Sequence, residues 1–224
     1  MKEALRSMTE DMMAMIRRKD FAPFNLALSG GETAKHMFSL WVDEYKDKID
    51  WNNIRFFWVD ERCVPPTSPD SNYGHANHLL KPLRIPADHI HRIKGENEPG
   101  TEAMRYSWVV KEFLPLFNQM PTFDCIILGV GEDSHTASIF PTTMELLSDS
   151  RNYAVSQQPS TGQYRITMTG PLILNGAPLL VPILGTNKEP VIQRLSKGYS
   201  PSNDTPAAYI LSHAVQATIY GLNP

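Results

Sequence analysis

Three short, largely apolar runs, residues 25–29, 54–59 and 123–128, each break off at a glycine or a carboxylate: Gly30-Gly31, Asp60 and Gly129. A strand with one wet face alternates polar and apolar side chains. A strand covered on both faces loses that alternation, so these runs read as buried parallel strands whose ends open into loops. Behind the first run Met37, Trp41 and Tyr45 recur at helical spacing, which makes the unit strand, tight turn, helix. Residues 3–18 precede it with Leu5, Met8, Met12 and Met15 on one stripe, the pattern of an amphipathic helix packed on a core.

The remaining segments extend the same plan. A proline-rich loop over 64–72 leads to a helix around 75–81 and a long helix near 102–118, with Tyr106, Val110, Phe113 and Phe117 on one side. Residues 164–169 and 178–185 read as strands, 189–197 and 206–213 as helices, and 217–221 as a closing strand. No repeat or low-complexity linker divides these pieces, so residues 1–224 are expected to form one α/β domain with a mainly parallel twisted sheet and helices on both faces. Ligands in such folds bind beyond the carboxyl ends of the strands.

Charge and composition exclude several classes. Against 24 acidic side chains stand 21 basic ones, and no block of like charge offers a nucleic-acid footprint. The apolar stretches fall well short of the ~20 residues that cross a bilayer, which argues against a membrane partner and makes the cytoplasm the default. Cys63 and Cys125 fall in different elements and read as free thiols. The His75/His78 and His89/His91 pairs lack a nearby third ligand, so no metal site is expected.

Three stretches at strand ends carry chemistry. Leu28-Ser-Gly-Gly-Glu-Thr33 sets two glycines between Ser29 and Thr33 where a strand turns into a helix. Gly30 and Gly31 let the backbone approach an anion, and the helix start supplies free N–H groups, so a phosphate fits; the same residues also make a plain turn with Thr33 as cap. Arg165, in Gln163-Tyr-Arg-Ile-Thr167, and Lys188, just after a strand, are cations suited to that anion or else solvated surface charges. Asp60-Glu61-Arg62 places three charges together before the proline loop, as a polar wall or as a surface ion-pair cluster. Gly129-Val-Gly-Glu-Asp-Ser-His135 imitates a dinucleotide fingerprint, but Ser134 replaces the third glycine and Glu132 and Asp133 would repel a pyrophosphate. What remains is His135 beside Asp133, the arrangement in which a carboxylate orients an imidazole.

Taken in order, Leu28–Thr33, Trp58-Val-Asp-Glu-Arg62 with Val64-Pro65 and Ser71-Asn72, Gly129–Pro141, Arg165-Ile-Thr167 and Gly185-x-x-Lys188 resemble the motifs of the 6-phosphogluconolactonases over nearly the whole chain. The resemblance implies a three-layer Rossmann-like fold, shared with the glucosamine-6-phosphate deaminases, and hydrolysis of 6-phosphoglucono-δ-lactone without metal or organic cofactor. It further implies His135 as general base, Asp133 and Asp60 as groups orienting the imidazole or sugar hydroxyls, and Arg62 on developing negative charge or ring hydroxyls. Ser29, Gly30, Gly31, Thr33, Arg165 and Lys188 would hold the phosphate. Deaminases usually carry Asp-Glu-Tyr where this chain has Asp60-Glu61-Arg62, and an acidic residue before the proline that here follows Phe140. A deaminase, or a sugar-phosphate-binding module with little turnover, are the alternatives. The family commonly has proline at Ala34 and glycine at Ser134. The partner expected is a small sugar-phosphate lactone, and a monomer and a homodimer both fit.

Overall fold

The structure, a computed structural model, describes residues 1–19, 23–198, 200–201 and 203–221. In chain order the main elements are α1 (Lys2–Arg18), β1 (Phe24–Leu28), α2 (Glu32–Leu40), β2 (Ile54–Trp58), β3 (Asp60–Arg62), α3 (Asn72–Leu80) and α4 (Pro99–Phe113). There follow β4 (Leu116–Phe117), β5 (Met120–Pro121), β6 (Cys125–Ile127), β7 (Tyr153–Gln157), β8 (Tyr164–Met168), α5 (Gly170–Ile173), β9 (Leu179–Ile183), α6 (Glu189–Leu195), α7 (Pro206–His213) and β10 (Ala217–Gly221).

The expected buried parallel strands form a five-stranded sheet in the order β10-β9-β6-β1-β2, every pair parallel. Every residue of β1 and of β9 is buried, which is why neither alternates. The methionine stripe of α1 packs as expected: Leu5, Met8 and Met12 are buried, and α1 lies on β9 and β10. Met37, Trp41 and Tyr45 are buried together, with α2 continuing through a wider π-helical turn at Trp41–Tyr45. The parallel sheet flanked by helices is the architecture read from the sequence.

Two features differ from that reading. The strand at Tyr164–Met168 belongs to a second, antiparallel sheet, β3-β8-β7, and α4 packs on β7 and β8. The long helix stops at Phe113, because Pro115 disfavours helical backbone at the residue before it. Phe117 therefore leaves the helical face and sits half exposed in the β4–β5 hairpin, whose carbonyls accept from the side-chain amide of Asn175.

β1 has β2, the next parallel strand in sequence, on one side and the later β6 on the other, so the connections part between β1 and β6. A crevice opens beyond their carboxyl ends, as expected at such a switch point. Two bonds close its floor: Ser29 N–H donates to Ile127 O at 3.0 Å, and Gly129 N–H to Ser29 Oγ at 3.0 Å.

Candidate active site

The loops after β1, β2, β6 and β9 surround a cleft of about 410 Å³. Nine of the ten residues singled out from the sequence line it; Asp133, the tenth, stands behind His135.

On one wall Ser29, Gly30, Gly31 and Thr33 form the turn into α2. Gly31 is the residue before the helix and has φ +91°, a backbone that side chains rarely adopt, so a glycine is required there. Thr33 does not cap the helix: no side chain caps α2, which leaves the N–H groups of its first turn turned to the cleft. Ser29 is buried, with its hydroxyl accepting from Gly129.

Opposite lie two guanidinium groups. Antiparallel pairing of β3 and β8 sets Arg62 across from Arg165, and both line the cleft. Among the described residues neither forms an ion pair; Arg62 Nη1 donates to the Asp70 carbonyl at 2.5 Å, and the buried Nε of each has no acceptor. Burial and the facing charge of Arg62 lower the Arg165 pKa. Two like charges held this way favour an anion between or beside them. Lys188 completes the cationic side, its Nζ donating to the Val130 carbonyl at 3.0 Å at the start of α6.

His135 projects from the loop after β6. Its Nδ1 lies 2.5 Å from Asp133 Oδ1, which also accepts from the His135 backbone N–H at 3.1 Å. Burial works to raise the Asp133 carboxyl, but the His135 hydrogen bonds and charge outweigh it and hold the pKa below the usual carboxylate value. With Asp133 ionised, Nδ1 keeps its proton and Nε2 is left as the basic nitrogen. The ring packs against buried Phe140, centroids 4.8 Å apart. It also lies over Gly131, where a Cβ would meet the imidazole at 2.1 Å.

Asp60 is placed in the cleft but not on the imidazole. Its Oδ2 accepts from Ser138 Oγ at 2.6 Å, and its carbonyl accepts from Asn72 Nδ2 at 3.0 Å. Of the two carboxylates expected near the base, Asp133 holds the ring and Asp60 faces the cleft with Asn72 and Ser138 as its supports.

Glu61 has a part that its charge alone conceals. It is buried, and its two oxygens accept from the backbone N–H of Arg62, Asn72 and Tyr73 and from Ser71 Oγ, at 2.7–3.0 Å. Burial raises its pKa against the lowering effect of those N–H groups. The triple charge is thus neither a surface cluster nor a simple wall: Asp60 and Arg62 face the cleft while Glu61 ties down the end of the proline loop. Its middle position, pointing to the opposite face from its neighbours in a strand, is the signal that separates it from them.

The glucosamine-6-phosphate isomerase/6-phosphogluconolactonase family model matches residues 1–220. The 6-phosphogluconolactonase of Treponema pallidum (strain Nichols) is 43% identical over 168 residues, 75% of this chain and 70% of that protein. That of Haemophilus influenzae is 39% identical over 191 residues, 84% of this chain and 80% of that protein. A solved structure of a devB protein superposes with a TM-score of 0.88 at 36% identity, covering 98% of this chain and 91% of that one. The chain belongs to the glucosamine-6-phosphate isomerase/6-phosphogluconolactonase family.

Proposed function

We infer that this protein is a 6-phosphogluconolactonase, a hydrolase that opens 6-phospho-D-glucono-1,5-lactone to 6-phosphogluconate. The observation that carries the reading is the Asp133–His135 pair standing over a cleft that also holds Arg165 and Lys188. A general base and an anion site in one crevice suit a phosphorylated ester. The two named relatives and the two free cysteines agree with a cytoplasmic enzyme of sugar-phosphate metabolism, within the pentose phosphate pathway.

A δ-lactone is an activated ester, so the work lies in positioning it, activating water and stabilising the oxyanion. The phosphate sits against the Gly30–Gly31 turn and Thr33, held by Arg165 and Lys188, with Ser29 bracing the turn. That remote contact fixes C1 before the base. His135 Nε2 takes a proton from water as its oxygen bonds to C1, and the carbonyl electrons move onto the exocyclic oxygen, where Arg62 offsets the charge. Collapse re-forms the carbonyl and breaks the bond from C1 to the ring oxygen, which receives the proton from the imidazolium. Asp133 stabilises that imidazolium, and Asp60 orients a sugar hydroxyl.

Freshly generated lactone supplies the test. The protein is expected to raise hydrolysis well above the uncatalysed rate and to release no ammonia from glucosamine 6-phosphate. Ammonia release would identify a deaminase. Binding of 6-phosphogluconate with no rate enhancement would leave a sugar-phosphate-binding protein.

A further inference from the structure

His135 makes hydrogen bonds to Asp133 and to its own loop, and the residue before it ties that loop to α6 and α7. Ser134 is fully buried in left-handed backbone, φ +64°, a conformation that suits glycine and that side chains adopt rarely. Each of its polar groups is engaged. Its N–H donates to the Gly131 carbonyl at 3.0 Å, and its carbonyl accepts from Ala207 N–H at the start of α7 at 3.0 Å. Its hydroxyl accepts from Arg194 Nη1 at 2.9 Å.

Arg194 lies near the end of α6, and its half-buried guanidinium is directed at a neutral hydroxyl beside His135. The other end of the same segment grips the same loop. Lys188 Nζ donates to the Val130 carbonyl, and Asn187 Nδ2 to Glu132 Oε1 at 2.5 Å. Residues 187–194 thus bracket the loop at Val130, Glu132 and Ser134, and His135 follows the last of these contacts. A glycine at position 134 would relax the backbone but give Arg194 nothing to hold.

We propose that Arg194 and Ser134 are a positioning pair that transmits the placement of α6, and of Lys188 before it, to the His135 imidazole. The proposal rests on the lactonase reading of the site. Strained backbone is retained at Ser134 because its hydroxyl makes this link, and phosphate capture at Lys188 and proton transfer at His135 are thereby set by one segment.

The test compares Ser134→Gly, Arg194→Met and the double variant. Each single change is expected to lower kcat about fivefold to tenfold with KM within about twofold, since a misplaced base slows chemistry while the phosphate contacts persist. Ser134→Gly removes the unfavourable φ, so its Tm should equal or exceed that of the unmodified protein while kcat still falls. The double variant should be no slower than either single one, because both changes break one bond. Full kcat in folded Ser134→Gly or Arg194→Met, or losses that multiply, would overturn the pairing. An activity-independent readout separates this from the functional reading: the imidazole ring resonances of His135 should be one sharp set in the unmodified protein and broadened or split in both variants. An unmodified protein without lactonase activity contradicts only the functional reading, whereas ring resonances unchanged in the variants contradict the pair.

Discussion

Gly131 and His135 make a mutually dependent pair. The imidazole occupies the space that a Cβ on residue 131 would fill, 2.1 Å from that position. Gly131→Ala must therefore move the ring or the loop, and kcat is expected to fall by at least about 10²-fold, as misplacement by an ångström does elsewhere. Circular dichroism and Tm should show a folded protein; full activity would mean that the ring as placed is not the working one. Asp133 supports a second prediction. Its carboxyl is held below the usual value, so it remains ionised at pH values where an ordinary aspartate begins to protonate, and it keeps its bond to the ring there. Asp133→Asn removes that orienting acceptor, so kcat should fall in a protein that circular dichroism shows to be folded. Full kcat in the folded variant would detach Asp133 from His135. The left-handed backbone of Ser134 is one that favours glycine, in keeping with the glycine that the family resemblance implies at that position.

Loops after the strands gain their stiffness from single buried groups, Glu61 above all. It gathers three backbone N–H donors and the Ser71 hydroxyl, so Glu61→Ala strands them together. The expected loss is about 3 kcal/mol or more by urea denaturation, with Asn72 released from the cleft wall; a change below about 1 kcal/mol would show that water replaces the carboxylate. The strands and glycine turns of the parallel sheet were legible because burial on both faces removes alternation and the turn residues punctuate what is left. The second sheet was not, because β3 is only three residues long and consists of Asp60, Glu61 and Arg62, the composition of a loop. β7 gave little sign either: Tyr153–Gln157 alternates weakly, and only the turn residues Pro159 and Gly162 after it mark an end. The break at Pro115 was visible in the sequence, yet Phe117 falls in helical phase with Phe113 and masks it. For the candidate site, most residues that line the cleft were readable and their partners were not. His135 and Asp133 are two positions apart, whereas Asp60 meets Ser138 and Arg62 meets Arg165 only through tertiary pairing.

Across the whole molecule, the −3 formal charge gives no hint that Arg62, Arg165 and Lys188 meet at one cleft, which Glu32, Asp60 and Glu132 also line. Arg62 at the carboxyl end of β3 faces Arg165 at the amino end of β8, and Lys188 follows β9, so an anion bound beside the two guanidinium groups would relieve their repulsion. Saturating 6-phosphogluconate should raise Tm, by the equivalent of about 2.7 kcal/mol at a hundredfold excess over Kd. Arg165→Met should lose most of that gain at the same ligand concentration, and an undiminished shift would place the anion elsewhere. The proposed function thus joins two roles at one switch point: anion binding beyond β1 and proton transfer beyond β6. The most direct measurement of that union is the steady-state rate of His135→Gln on freshly generated 6-phosphogluconolactone, corrected for spontaneous hydrolysis. A fall in kcat of roughly 10²–10⁴, with product affinity nearly unchanged and the fold intact, is the expected result. Retention of most of the activity in a well-folded His135→Gln protein would contradict the mechanism and turn attention to Asp60 or Asp133 as the base.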